Sequence, residues 1–237
     1  MNRTQSTERA RATGIHHIAV MSGDMKSHID FFSDVLGCRL AAIFDMHGVP
    51  GAFHAFMHLS DDCYFSIVQT PETGAIPIEM GKTHAGTGAA PSAPGTMQHL
   101  ALNVADEAAL LNLRDRIRTK GVNVIGPIDH GMCKSIYFAG PDRMTLEIAT
   151  GSAPLDGDAW IDPKVLERIG VSEEEAARYR DPDPYAGEGG AVAQPPYDPD
   201  KPHQAYPEDQ YKAMLAAPDD AIAAAASYTE PPVKVAG

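Results

Sequence analysis

Gly14-Ile15-His16-His17-Ile18-Ala19-Val20, with Asp24 beyond it, and Thr96-Met97-Gln98-His99-Leu100-Ala101-Leu102-Asn103-Val104, with Asp106 beyond it, are two versions of one pattern. In each, a histidine leads into alternating apolar residues, and an aspartate stands seven residues after it. Such alternation with β-branched residues reads as a half-buried strand. Asp24 reads as a helix N-cap, because Met25, Ile29, Phe32 and Leu36 then recur at helical spacing until Gly37 supplies a stop. Strand-like runs follow at roughly 39–45, 52–59 and 64–69, broken by His47-Gly48-Val49-Pro50-Gly51 and by Ser60-Asp61-Asp62. The predicted order is β-α-β-β-β.

The second version repeats it. The spacing predicts a strand over 97–104, a helix from Asp106 to about Lys120 ended by Gly121, and strands at 122–128, 135–138 and 145–149. The expected fold is α+β: two tandem β-α-β-β-β units forming one metal-holding sheet cavity, with an irregular Pro-rich C-terminal arm. The expected divisions are a flexible N-terminus at 1–13, units at 14–70 and 96–150, a Pro/Gly/Ala/Thr-rich linker at 71–95, and an acidic arm at 151–237. Helices are expected within the arm at 163–169, 172–179 and 208–216. Trp160, Tyr179, Tyr185, Tyr197, Tyr206 and Tyr211 are candidate anchors for wrapping the domain or a second subunit.

The formal net charge of −13 is uneven: −3 over residues 1–150 and −10 over the rest, where twelve of the nineteen prolines lie. An acidic tail argues against nucleic acid and anionic membrane surfaces as partners. Three cysteines without metal-type spacing, and a start lacking an apolar segment, lead to the expectation of a reduced, cytoplasmic protein without a membrane span.

The repeat also places chemistry. His17 and His99 occupy equivalent positions, and the closing strand of each unit lies 48 or 49 residues later. That strand carries Glu147 in one unit and Ser66 in the other. Two imidazoles and one carboxylate are the donor set of the facial triad, which suits Fe(II), Mn(II) or Zn(II). Glu147 lies inside Thr145-Leu146-Glu147-Ile148-Ala149, where a carboxylate is costly unless paired or bound to metal. Strand alternation turns His16 to the opposite face. His28, His47 and His203 fall in helix-surface, turn and tail contexts, and Cys133 reads as an inert thiol.

On these residues the chain resembles the vicinal oxygen chelate superfamily, which includes glyoxalases, fosfomycin-resistance proteins and type I extradiol dioxygenases. The resemblance covers about residues 14–150. It rests on His17-Ile18-Ala19-Val20 with Asp24, on Phe31-Phe32-Ser33-Asp34-Val35-Leu36-Gly37, on His99-Leu100-Ala101-Leu102 with Asp106, and on the stretch from His130 to Glu147. That stretch, with Ile136-Tyr137-Phe138-Ala139-Gly140-Pro141-Asp142-Arg143-Met144-Thr145-Leu146-Glu147, is similar to the extradiol signature. Gly140 and Arg143 depart from it, where Asp or Asn and Gly are usual. The resemblance implies His17, His99 and Glu147 as metal ligands, with Tyr137 and His130 contacting a metal-bound phenolate. An acid–base histidine is expected near the end of the first unit; His58 is preferred over His54 and His84. The function so implied is an Fe(II)-dependent extradiol-type ring-cleaving dioxygenase, with Mn(II) an alternative metal. Its partners would be a small catechol- or hydroquinone-like aromatic and O₂, and homo-oligomers would form through the arm. The alternatives are a glyoxalase- or epimerase-like metal-dependent lyase or isomerase, and a metal-free binding protein of the bleomycin-resistance type.

Overall fold

The computed structural model describes residues 11–151, 153–185 and 190–234. The order from β1 (His17–Met21) through α1 (Met25–Asp30) to β2 (Arg39–Asp45), β3 (Phe53–Ser60) and β4 (Cys63–Gln69) is the expected β-α-β-β-β. It recurs as β5 (Leu100–Asn103), α2 (Glu107–Thr119), β6 (Ile125–Asp129), β7 (Lys134–Ala139) and β8 (Thr145–Thr150). Each unit forms a four-stranded mixed sheet, ordered β1-β4-β3-β2 and β5-β8-β7-β6. In both, the first strand runs parallel to the fourth and the remaining pairs are antiparallel.

The helix starts obey their caps. The Asp24 carboxylate accepts from the Ser27 amide at 3.2 Å, and that of Asp106 from the Ala109 amide at 2.8 Å. The end of the first helix differs from expectation. Residues Phe31–Val35 widen into a π-helical turn, and the Leu36 amide donates to the Phe31 carbonyl at 3.3 Å. The apolar period continues through this turn, so it left no trace in the spacing. Gly37, at φ +83°, then reverses the chain, and a side chain there would meet the Arg116 guanidinium carbon at 3.1 Å.

One face of each sheet packs on its helix. Phe32 stacks on Phe65 with centroids 3.9 Å apart, and Phe31 on Phe138 at 6.4 Å. Met57, Ile67, Leu110, Ile117, Ile136 and Leu146 complete one core cluster that takes residues from both units. Fully burying each such side chain contributes about 1.5–3 kcal/mol. The units are therefore joined through their helix-bearing sides. Polar contacts fix the joint: Arg116 donates to the Val35 and Asp34 carbonyls at 2.9 and 2.8 Å, and Lys120 pairs with Asp34 at 2.5 Å. The Gly23 amide donates to Asp142 at 2.7 Å. Asp142 and Arg143 hold φ of 49° and 58°, so Arg143 stands in a left-handed conformation that favours the glycine usual in the signature.

His28 is a correction. It is fully buried at this joint, not on a helix surface. Three residues after Met25 and four before Phe32, it shares their inward stripe. Its Nδ1 meets Ser22 Oγ at 2.8 Å, and Nε2 has no hydrogen-bond partner among the described residues.

The linker holds a short 3-10 turn, Thr73–Ala75, and an isolated bridge between Met80 and His84. Beyond residue 151 the chain is more regular than the expected irregular arm. Helices α3 (Gly157–Trp160), α4 (Pro163–Arg168), α5 (Glu173–Arg180), α6 (Glu208–Ala216) and α7 (Asp219–Ala226) occupy it. The helices expected at 163–169, 172–179 and 208–216 are α4, α5 and α6, with α5 started by a Ser172–Glu175 capping box, while α3 and α7 were not expected. Residues 12–182 form one compact unit, and the chain from Asp183 onward belongs to another. Within the latter, Tyr197, His203, Tyr206 and Tyr211 gather ring against ring, with Lys212 Nζ 5.1 Å from the Tyr197 centroid. In the former, Trp160 lies against the Gly131 turn, where an added Cβ would fall 3.0 Å from its ring.

Candidate functional site

Paired residues on neighbouring strands project to the same face. Register therefore puts His17, Ala19 and Met21 of β1 beside Tyr64, Ser66 and Val68 of β4, and these beside His58, Phe56 and His54 of β3. This is the face away from the core. On the second sheet, Ala101 pairs with Glu147 and Glu147 with Tyr137, so the open face there carries the carboxylate and the phenol. His99 immediately precedes β5 at the same edge.

The second face assembles most of the expected residues. His99 Nε2 lies 2.9 Å from Glu147 Oε2, and Glu147 is only 5% exposed. His130 Nε2 lies 3.0 Å from the Tyr137 hydroxyl. The Tyr137 ring is edge-on to both histidines, 6.4 Å from His99 and 6.1 Å from His130. Burial, then the Glu147 carboxylate, pushes the Tyr137 hydroxyl pKa up, holding it as a proton donor.

Gln98 belongs to this group and was not anticipated. Its side-chain oxygen accepts from His99 Nδ1, while its amide nitrogen donates to the carbonyls of Thr87 and Ala90 at 3.0 and 3.2 Å. The linker is thereby tied to the candidate ligand, and Gly88 sits where a Cβ would touch the Tyr137 ring at 3.5 Å. Position 98 is the counterpart of position 16 in the repeat, and that was the available signal. His16 in turn brings its Nδ1 to 2.9 Å from His17 Nδ1. His16 thus does not face away from His17: it lies ahead of β1, where strand alternation no longer applies. In both units the preceding residue engages Nδ1 and leaves Nε2 as the nitrogen for a ligand.

The first face is chemically different. Ser66 is buried, and its Oγ lies 2.5 Å from His54 Nε2. Burial, then the His17 charge, lowers the His54 pKa. Rings cross the sheet: His54 against Phe56 at 4.4 Å, Phe56 against Phe44 at 6.0 Å and His17 at 5.6 Å. His58 and His16 each lie 5.9 Å from Tyr64. His84 stays in the linker, with Nδ1 2.9 Å from the Thr83 hydroxyl. Cys133 Sγ rests 3.6 Å from the Ser135 hydroxyl.

Two of the three expected donors meet, and the third does not. His17 stands on the other sheet, and among the described residues no three His, Cys, Asp or Glu side chains are grouped closely enough to hold a metal ion. Within one chain the donor set does not fit a three-ligand metal. No described helix is long and apolar enough to cross a membrane.

Comparison with known proteins gives one family match: the model described as "Glyoxalase/Bleomycin resistance protein/Dioxygenase superfamily" matches residues 14–148. Solved structures similar to the chain include a glyoxylase/bleomycin resistance protein/dioxygenase domain from Frankia sp. EAN1pec (15% identity, 60% of this chain and 99% of that one, TM-score 0.48). TnmS3, an antibiotic binding protein from Streptomyces sp. CB03234, shares 21% identity over 60% of this chain and 98% of its own, with a TM-score of 0.42. The trypanothione-dependent glyoxalase I of Leishmania major shares 13% over 71% and 97%, also at 0.42. No curated protein matches the chain.

Proposed function

Because the chain belongs to the glyoxalase/bleomycin resistance protein/dioxygenase superfamily, we propose that it is a metal-dependent dioxygenase of the extradiol type, using Fe(II) or Mn(II). It opens the ring of a catechol- or hydroquinone-like aromatic. The observation that carries this reading is the row His130, Tyr137, Glu147 and His99 on one sheet face, joined by contacts of 3.0 and 2.9 Å. A phenol backed by an imidazole, beside a carboxylate–imidazole pair, suits a dihydroxylated ring better than a dicarbonyl. Tyr137 donates to a phenolic oxygen, and His130 steadies Tyr137. The ring-lined first sheet offers Phe44, Phe56 and Tyr64 as stacking partners for a planar substrate.

Ring opening of this kind adds both atoms of one O₂ to the substrate, breaks one ring carbon–carbon bond and releases nothing. The substrate hydroxyl proton needs a neutral imidazole. His54, held by Ser66, and the His58 favoured from the sequence share the open face of the first sheet, whereas His130 is the imidazole on the Tyr137 face itself.

The test is O₂ uptake by anaerobically purified protein reconstituted with Fe(II) and given a panel of catechols and hydroquinones. The expected result is uptake with a yellow ring-fission chromophore, at least about 100-fold weaker in His99→Ala. Bound metal without O₂ consumption across the panel would sink the reading in favour of lyase or isomerase chemistry.

A further inference from the structure

The segment after β8 lies outside the residues 14–148 that match the family, yet one of its rings reaches the candidate site. We propose that Trp160 is a positioning residue, its indole bracing the loop between β6 and β7 and so holding His130 on the Tyr137 hydroxyl. This rests on the Tyr137–His130 pair of the proposed function, and not on the identity of the reaction.

The loop needs a brace. His130, Gly131, Met132 and Cys133 make up the whole connection between Asp129 and Lys134, which pair across the hairpin. His130 is exposed, so water competes with Tyr137 for its Nε2, and the 3.0 Å contact depends on where the loop holds the ring. Within the loop the His130 amide donates to the Cys133 carbonyl and the Gly131 amide to the Asp129 carboxylate, both at 2.8 Å. Its loosest point is Gly131, at φ +81°, where the missing side chain leaves the backbone its widest freedom.

Trp160 occupies that point. A Cβ on Gly131 would fall 3.0 and 3.4 Å from two carbons of the indole, so the ring fills the space that the glycine leaves. Trp160 is the chain's only tryptophan, stays 50% exposed and is not part of the core cluster, so it is not there to fill the interior. The ring is itself held: the Trp160 amide donates to the Asp156 carbonyl at 2.9 Å, and the Asp156 carboxylate accepts from the Asp158 amide at 3.0 Å. The chain leaving β8 runs beside the same loop, since a Cβ on Gly151 would lie 3.3 Å from the Met132 carbonyl oxygen. Gln98 ties His99 to the linker at one end of the row, and Trp160 ties His130 to the segment after β8 at the other. Outer supports of this kind keep reacting groups within the narrow geometry that chemistry needs.

Nuclear magnetic resonance of the imidazole carbons in the full chain reads His130 without any reaction. His130→Ala identifies its signal, and Tyr137→Phe shows where that signal goes when the hydroxyl is lost. Trp160→Ala should move the signal in the same direction, Trp160→Phe should restore it, and the His54 signal, from the other sheet, should stay in place. Circular dichroism checks folding, and Trp160→Leu is read in the same way if the alanine variant does not fold. An unmoved His130 signal in the folded variant overturns the proposal. So does equal movement of His54, which marks general loosening, or a His130 signal that Tyr137→Phe leaves unmoved. In O₂ uptake with a catechol, Trp160→Ala should lower kcat about 10–100-fold with KM little changed, and should cost nothing further in His130→Ala protein. Equal losses in the two backgrounds also overturn the proposal. Wild-type protein that consumes no O₂ across the panel removes the dioxygenase reading alone, and the His130 signal still decides whether Trp160 braces the loop.

Discussion

Ser66 and Glu147 stand at matching places in the two sheets, yet their surroundings share almost nothing. Ser66 is buried with its hydroxyl on His54, in a face rich in rings. Glu147 is buried against His99, in a face that adds a phenol, a second imidazole and the Gln98 tie to the linker. The repeat therefore fixes where side chains project and leaves open what each face does. One face joins a carboxylate, two imidazoles and a phenol, and the other sets rings around Ser66 and carries His17.

Making the halves alike is the strongest test of that division. Glu147→Ser gives the second sheet the residue of the first and leaves His99 without its anionic neighbour. On the proposed reading Glu147 is a metal ligand, and its loss exceeds the 10–100-fold known for outer partners, so Mn(II) affinity should fall at least about 100-fold. The reciprocal lesion, Ser66→Ala, removes a hydrogen bond worth about 1 kcal/mol and no donor. It should lower the melting temperature slightly and leave Mn(II) affinity unchanged. Equal losses of affinity in the two variants would erase the distinction between the faces.

The residues ahead of the two histidines give a finer test. Gln98 and His16 engage Nδ1 of His99 and of His17 by different chemistry at the same repeat position. Gln98→Ala and His16→Ala should each weaken Mn(II) binding about 10–100-fold. Gln98→Glu keeps the acceptor for His99 but loses the donors to Thr87 and Ala90, so it should recover most of the affinity. A titration in which Gln98→Glu is as weak as Gln98→Ala would show that the linker tie, and not the ligand's orientation, is what Gln98 supplies.

Within each unit, much of the structure is legible in the sequence. Asp24 and Asp106 cap their helices, Arg39–Asp45 is the expected strand, and Gly37 and Gly121 hold the positive φ that ends a helix. These features depend on residues close in sequence, where period and capping chemistry act. The side-chain contacts of His99, Glu147, Tyr137 and His130 follow from the same logic, because register along one sheet puts equivalent positions on one face. The relation between the units was not legible. It depends on Arg116 reaching carbonyls of the π-turn and on Asp142 reaching the Gly23 amide, pairs separated by more than eighty residues with no periodic mark. The expectation of one cavity treated the repeat as if it specified this joint. The joint instead buries the helix sides and leaves His17 facing solvent on a separate sheet.

His28 gives the joint a measurable signature, with the smallest effect of the three. Both sheets depend on this joint for their relative placement, and His28 sits in it without solvent. Burial lowers its pKa from the usual 6.5, a shift that exceeds the opposing pull of the Asp24 carbonyl and of the Asp142 and Asp24 carboxylates. Above pH 6.5 the ring is neutral in both folded and unfolded chains and affects stability little. As the pH falls from 6.5 toward the lowered folded value, the unfolded chain gains a proton that the folded chain resists, so stability declines through that window. His28→Asn keeps a polar group for Ser22 and removes the titration. Thermal unfolding followed from pH 7.5 down to 5 should show a melting temperature that drops in the wild type and drops less in the variant. Parallel curves would mean that His28 is protonated at no greater cost folded than unfolded, and that the joint is wetter than its buried side chains imply.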